Sequence, residues 1–138
     1  MSALAFFDTN VLLYADDDSA RRKQSRAISL ITDCQRRNAL VISLQVLQEY
    51  YAAATRKLRV DPAVAQQKVE ILARARIVRF EEKDVVAAIE LHRLSQISFW
   101  DAMIVHAARV ANVAVLYSED LHHGSILGGV RVVNPFLK

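Results

Sequence analysis

Four acidic positions stand out by what surrounds them. Asp8 directly follows the short apolar run Leu4 to Phe7, and Glu119 and Asp120 come right after the run Val113 to Tyr117 and Ser118. In an open parallel sheet the functional crevice lies beyond the carboxyl ends of the strands, so acids in such places carry weight. Glu49 shares a helical face with Val46, Tyr50 and Ala53, spaced three or four apart, which turns a carboxylate toward apolar neighbours. Asp101 heads the stripe Ile104, Val105, Ala108 and Ala111, while Ser98-Phe99-Trp100-Asp101 also reads as a capping box. Each acid has a purely structural alternative: a helix cap for Asp8 and Asp101, a stripe edge reaching solvent for Glu49. Taken together, converging carboxylates raise one another's pKa unless a cation joins them. Hard oxygen donors suit Mg²⁺ or Mn²⁺, and such an ion against a phosphodiester supports hydrolysis of a nucleic-acid strand.

The elements that must position these acids follow from periodicity. The reading gives a buried strand at Leu4 to Phe7 and a helix from about Ala20 to Arg37, with Asp16-Asp17-Asp18-Ser19 as its cap. Next come a strand at Leu40 to Ile42, a helix capped by Ser43 and running to about Lys57, and a helix from Asp61-Pro62 to about Arg74. A third strand covers Ile77 to Phe80. A helix follows from Lys83 to Leu94, with Val86, Ile89 and Leu94 on its buried side, and then one from Ser98 to Asn112. Strands at Val113 to Tyr117 and Val130 to Val133 close the chain. Strands that are continuous apolar runs alternating with helices predict an α/β domain, three-layered, with a parallel sheet covered on both faces.

Composition narrows the classes. The chain has 138 residues with 53% hydrophobic and 24% charged side chains, 3 Gly and 2 Pro, which excludes a disordered or low-complexity chain and predicts one domain over 1–138. Its single cysteine, Cys34, sits on an apolar helical stripe and cannot form an internal disulfide. With no leader-like segment at the start and no sustained apolar run, the expected location is the cytoplasm. All the glycines fall late, so no phosphate-cradling Gly-rich loop follows the first strand. The net charge is +3, and Arg21, Arg22, Lys23 and Arg26 crowd one stretch. Guanidinium forks suit phosphate, so this cluster is a candidate RNA contact as well as an ordinary solvated helix face.

Phe7-Asp8-Thr9-Asn10-Val11-Leu12-Leu13-Tyr14, Leu47-Gln48-Glu49-Tyr50-Tyr51, Ser98-Phe99-Trp100-Asp101-Ala102-Met103-Ile104 and Tyr117-Ser118-Glu119-Asp120-Leu121 resemble, in order and spacing, the motifs of PIN-domain ribonucleases, and most of all those of the VapC toxins of toxin–antitoxin modules. The resemblance spans nearly the whole chain. It implies a PIN-like (flavodoxin-like) α/β/α sandwich and an endoribonuclease dependent on Mg²⁺, with Mn²⁺ able to substitute. It further implies a homodimer neutralised by a cognate antitoxin. Asp8, Glu49 and Asp101 match the first three acids of the family. The fourth position falls to Asp120 through the Ser-x-Asp pattern that includes Ser118, with Glu119 a competitor. Thr9 and Asn10 lie in the first motif as supporting residues. His122 and His123 follow the fourth acid as candidate proton donors, and Trp100, Tyr50 and Tyr51 are candidate base-stacking residues as well as core or interface aromatics. The alternative is a non-catalytic PIN-like module that binds RNA or protein; retention of all four acids argues against it.

Overall fold

A computed structural model describes residues 3–137 of the chain. The elements, in order, are β1 (Ala5–Phe7), α1 (Thr9–Tyr14), α2 (Arg21–Arg36), β2 (Leu40–Ser43), α3 (Leu44–Arg56), α4 (Pro62–Leu72), β3 (Arg76–Val78), α5 (Glu82–Ser95), α6 (Phe99–Val110), β4 (Val115–Tyr117), β5 (Ile126–Leu127) and β6 (Val130–Val133). Several helix starts are set by one polar side chain. Ser43 accepts the Val46 amide at 3.3 Å, Asp61 accepts that of Ala63 beside Pro62, and Ser98 accepts that of Asp101 at 3.0 Å. Each satisfies a backbone donor that the first helical turn leaves free.

The sheet runs β3-β2-β1-β4-β6-β5. All pairings are parallel except that of β5 with β6. β1 and β2 are buried along their whole length, as strands covered on both faces must be. α6 packs across β2, β4 and β6 and carries α5 on its outside, whereas α2 and α3 lie on β2, with α1 and α4 packed on α3. The chain steps from β1 outward to β2 and β3, then crosses back through α5 and α6 to β4 on the other side of β1. Right-handed crossovers therefore place the two helix groups on opposite faces, giving the three layers. The reversal of strand order falls between β1 and β4, where an open α/β sheet leaves its crevice. None of the described helices is long and apolar enough to cross a membrane.

Three sequence expectations need correction. The Asp16 to Asp18 triplet does not cap α2, whose N-cap position is Ala20 with no side-chain bond. Asp17 instead closes a local turn on the Ser19 amide and hydroxyl, Asp18 accepts from Gln24, and Asp16 takes the Tyr50 hydroxyl and the Lys68 ammonium. On α5, Val86, Ile89 and Leu94 are exposed, Leu94 at 78%, and Ala88 and Leu91 are the buried residues. This helix packs chiefly on α6. Strand β5 was not expected. It forms a hairpin with β6 through Gly128 and Gly129, both at positive φ (+54° and +82°), which a two-residue turn of this kind requires.

Candidate metal and nucleic-acid site

Asp8 ends β1 and begins α1 at once. Its backbone amide donates to the Tyr117 carbonyl (2.9 Å) across the β1–β4 junction, and its Oδ1 accepts the Thr9 amide at 2.7 Å. Its Oδ2 accepts the Ser118 hydroxyl at 2.7 Å. Both residues are buried, so the carboxylate is fixed on two sides at the sheet edge. Burial pushes its pKa up to about 6, the Ser118 and Thr9 hydrogen bonds pull it back, and the negative charges of Asp120 and Asp101 push it further up.

Glu49 projects from the middle of α3. The buried Thr9 hydroxyl donates to its Oε1 at 2.7 Å and Gln45 Nε2 donates to its Oε2 at 3.1 Å. Gln45 also reaches the Trp100 carbonyl at 3.3 Å, which ties α3 to the start of α6. Asp101 stands in the first turn of α6, half-buried. Its pKa is raised by burial first, partly offset by the Ser98 hydroxyl, and then by the charges of Asp120 and Glu49. A carboxylate at a helix N-terminus is nonetheless favoured in its ionised form by the helix dipole.

The loop after β4 separates its two acids. Ser118 is fully buried, and its Oγ accepts the Asp120 and Leu121 amides (3.2 and 3.4 Å) while it donates to Asp8. Asp120 is exposed on the side of Asp8 and Asp101, whose pKa values its charge raises. Glu119 turns the other way: the Tyr14 hydroxyl donates to its Oε1 at 2.6 Å and Lys23 pairs with its Oε2. Burial acts to raise the Glu119 pKa, but these two partners outweigh it and hold the group below the usual carboxylate range. Asn10 Oδ1 faces the Glu119 amide at 3.5 Å, and its Nδ2 is buried without a partner.

The chain thus brings Asp8 into the fields of Asp120 and Asp101, and Asp101 into those of Asp120 and Glu49, at the switch point. Among the described residues, no three acid, histidine or cysteine side chains are gathered tightly enough to hold an ion by themselves. A hard divalent ion that keeps several waters fits such a set of spaced carboxylates, and its charge would relieve the raised pKa values of Asp8 and Asp101.

The remaining candidates fall elsewhere or serve other ends. His122 and His123 are exposed, and His123 Nδ1 accepts the Asn134 amide. Tyr50 is buried with its hydroxyl on Asp16, whereas Trp100 is 61% exposed beside Asp101. Of the basic cluster, Arg22 donates to the Phe136 carbonyl, Arg26 donates to that of Pro135, and Lys23 holds Glu119. Sequence reasoning missed Gln45, although its position four before Glu49 on one helix face was a usable signal. It also missed Tyr14 as a partner of Glu119, for which no local signal exists.

No curated protein sequence matches the chain. Among solved structures, similar folds include the VapC20 toxin of Mycobacterium tuberculosis, described as cleaving the sarcin–ricin loop, with 22% identity, a TM-score of 0.68, and 84% of this chain covering 89% of that one. A structure of VapBC2 from Rickettsia felis bound to a promoter DNA fragment matches at 21% identity and a TM-score of 0.66, over 94% of this chain and 96% of that chain. A toxin–antitoxin complex from Klebsiella pneumoniae matches at 20% identity and a TM-score of 0.63, over 95% and 97%. The model of the PIN domain family matches residues 5–126, which take in β1 to β4 and every one of the acids, and the chain belongs to the PIN domain family.

Proposed function

We propose that this PIN domain is an endoribonuclease dependent on Mg²⁺, with Mn²⁺ able to replace it, acting as the toxin of a toxin–antitoxin pair. The observation that carries this reading is the buried Asp8 carboxylate at the β1–β4 switch point, its pKa pushed up to about 6 by burial and by the charges of Asp120 and Asp101. Asp8, Glu49, Asp101 and Asp120 would hold the ion, which supplies charge neutralisation at the phosphodiester and activation of water. The chain's own groups do the positioning. Ser118 and the Thr9 amide fix both oxygens of Asp8, the Thr9 hydroxyl and Gln45 orient Glu49, and the N-terminus of α6 favours the ionised form of Asp101 against the burial that raises its pKa. The unpartnered Asn10 Nδ2 is a buried donor suited to a phosphate oxygen or an ordered water.

RNA would be held by exposed Arg21 and by the donors that Arg22 and Arg26 retain, since a guanidinium has five and their carbonyl bonds use only some. The apolar cavity of about 490 Å³ between α3 and α4, lined by Leu47, Gln48, Tyr51, Gln66 and Val69, suits an antitoxin segment. The exposed Val86, Ile89 and Leu94 of α5 suit a second copy in a homodimer. The deciding test is cleavage of RNA by the purified chain with Mg²⁺, Mn²⁺, Ca²⁺ or EDTA. Cleavage with Mg²⁺ and Mn²⁺, and none with EDTA, is expected. Undiminished cleavage in EDTA refutes the metal-dependent reading, and RNA binding without cleavage under every condition favours a non-catalytic module.

A further inference from the structure

The basic face of α2 is engaged within the molecule, and Lys23 is at its centre. Besides pairing with Glu119, Lys23 lies 3.3 Å from the Tyr14 hydroxyl and 4.9 Å from the centroid of the Tyr14 ring. Tyr14 meets Phe136 edge-on at 4.9 Å, and the carbonyls of Phe136 and Pro135 are gripped by Arg22 and Arg26. α1, α2 and the C-terminal segment therefore meet around Tyr14 and Lys23, the two residues that hold Glu119, which precedes the exposed acid of the cluster. Beyond it, the Asp120 and Leu121 amides both rest on Ser118 Oγ, the hydroxyl that also anchors Asp8.

We propose that Lys23 and Tyr14 are positioning residues that clamp Glu119 away from the acid cluster and thereby set the β4 loop so that Asp120 faces the divalent cation. The inference rests on the metal-dependent reading above and assigns Lys23 a role distinct from RNA contact. Two adjacent carboxylates compete for one place, and whichever is neutralised within the protein is withdrawn. Here the ammonium and the phenol hydroxyl take Glu119, which leaves Asp120 free in charge and fixed in backbone.

The readings differ in sign, which makes them separable. The experiment titrates Mn²⁺ into the metal-free full chain, followed by the electron paramagnetic resonance of free Mn²⁺, for wild type, Lys23→Met, Lys23→Arg, Tyr14→Phe, Glu119→Gln and the Lys23→Met/Glu119→Gln double variant. Lys23→Met and Glu119→Gln are each expected to weaken Mn²⁺ binding by about tenfold, the effect of losing a group that orients a ligand. The double variant should be no weaker than the worse single one, because both remove the same clamp. Tyr14→Phe keeps the ring on Phe136 and should give a smaller loss, and Lys23→Arg should restore most of the affinity. In metal-free protein, hydrogen exchange at the Asp120 and Leu121 amides should quicken in Lys23→Met. Lys23 and Glu119 are both partly exposed, so thermal melts are expected to show folded variants.

Stronger Mn²⁺ binding by Lys23→Met, with weaker binding by Glu119→Gln, would make Glu119 a ligand and overturn the clamp. Unchanged Mn²⁺ affinity with weakened RNA binding would make Lys23 a substrate contact and overturn it as well. Wild-type protein that binds no Mn²⁺ at millimolar concentration would overturn the metal reading itself, and the clamp with it.

Discussion

The titratable side chains at the β1–β4 junction and those where α5 meets α6 are arranged on opposite principles. In the second, buried His106 places Nε2 3.0 Å from Asp84, while its Nδ1 accepts from Arg109 (2.9 Å from Nη2). Asp84 also accepts the Glu81 amide at 2.9 Å, which closes the capping box of α5. That backbone bond, with His106 adding to it, holds the Asp84 pKa below its usual value. With Nδ1 accepting from Arg109, Nε2 is the ring nitrogen that donates to Asp84, so both imidazole nitrogens are paired. At the first cluster the same residue type is pushed the opposite way. Asp8 has its hydrogen bonds, yet burial and two further acids leave its charge unanswered. Polar groups that answer one another brace a fold, and groups left with surplus charge of one sign make a place for something from outside.

The largest expected effect is at Asp8. Asp8→Asn should abolish RNA cleavage, and in metal-free buffer it should stabilise the protein. A carboxyl raised in the folded state holds its proton there more tightly than in the unfolded chain, so stability is full below pH 3.8 and falls as pH rises through about 6. The asparagine escapes that loss. Urea denaturation in EDTA should therefore show it more stable than wild type by on the order of 2 kcal/mol at pH 8, with the gap closing toward pH 4. A variant less stable at pH 8 would erase the contrast between the clusters.

The converse experiment acts on the balanced network. His106→Leu has similar bulk but leaves Asp84 and Arg109 facing an apolar side chain, and should cost about 1–3 kcal/mol whether or not metal is present. Cleavage per folded molecule should be retained. If its stability depended on added Mn²⁺, the two clusters would not be independent. The smallest expected effect is at Arg21: Arg21→Ala should flatten the dependence of log RNA affinity on log salt by somewhat under one unit, measured in Ca²⁺ to hold back turnover. An unchanged slope would leave Arg21 as solvated surface.

Local signals in the sequence were sound at three helix starts, where one side chain serves its own neighbours. Ser43, Ser98 and Asp61-Pro62 start helices because each serves a backbone amide within three residues. Asp8 was legible because a short apolar run and its end suffice to place a residue at a strand's carboxyl edge. Asp16 was misread because its partners, Tyr50 and Lys68, come from α3 and α4, and such long-range partners outcompete a cap. The face of α5 was misread because the residues at 88 and 91 keep the same helical spacing as those at 86, 89 and 94, and only the packing partner decides between them. The choice between Glu119 and Asp120 was open for a similar reason: Lys23 is 96 positions away from Glu119, beyond any motif.

The Ser118–Asp8 hydrogen bond joins residues 110 positions apart. During synthesis β1 therefore emerges with Asp8 and has to wait for β4, the strand that flanks it, until the helices and strands between them have been translated. A nascent chain halted after α6 would carry Asp8, Glu49 and Asp101 but neither Ser118 nor Asp120. Under the nuclease reading, a fragment that stops before β4 cannot complete the acid set, so activity waits on the pairing of two strands that are far apart in the sequence.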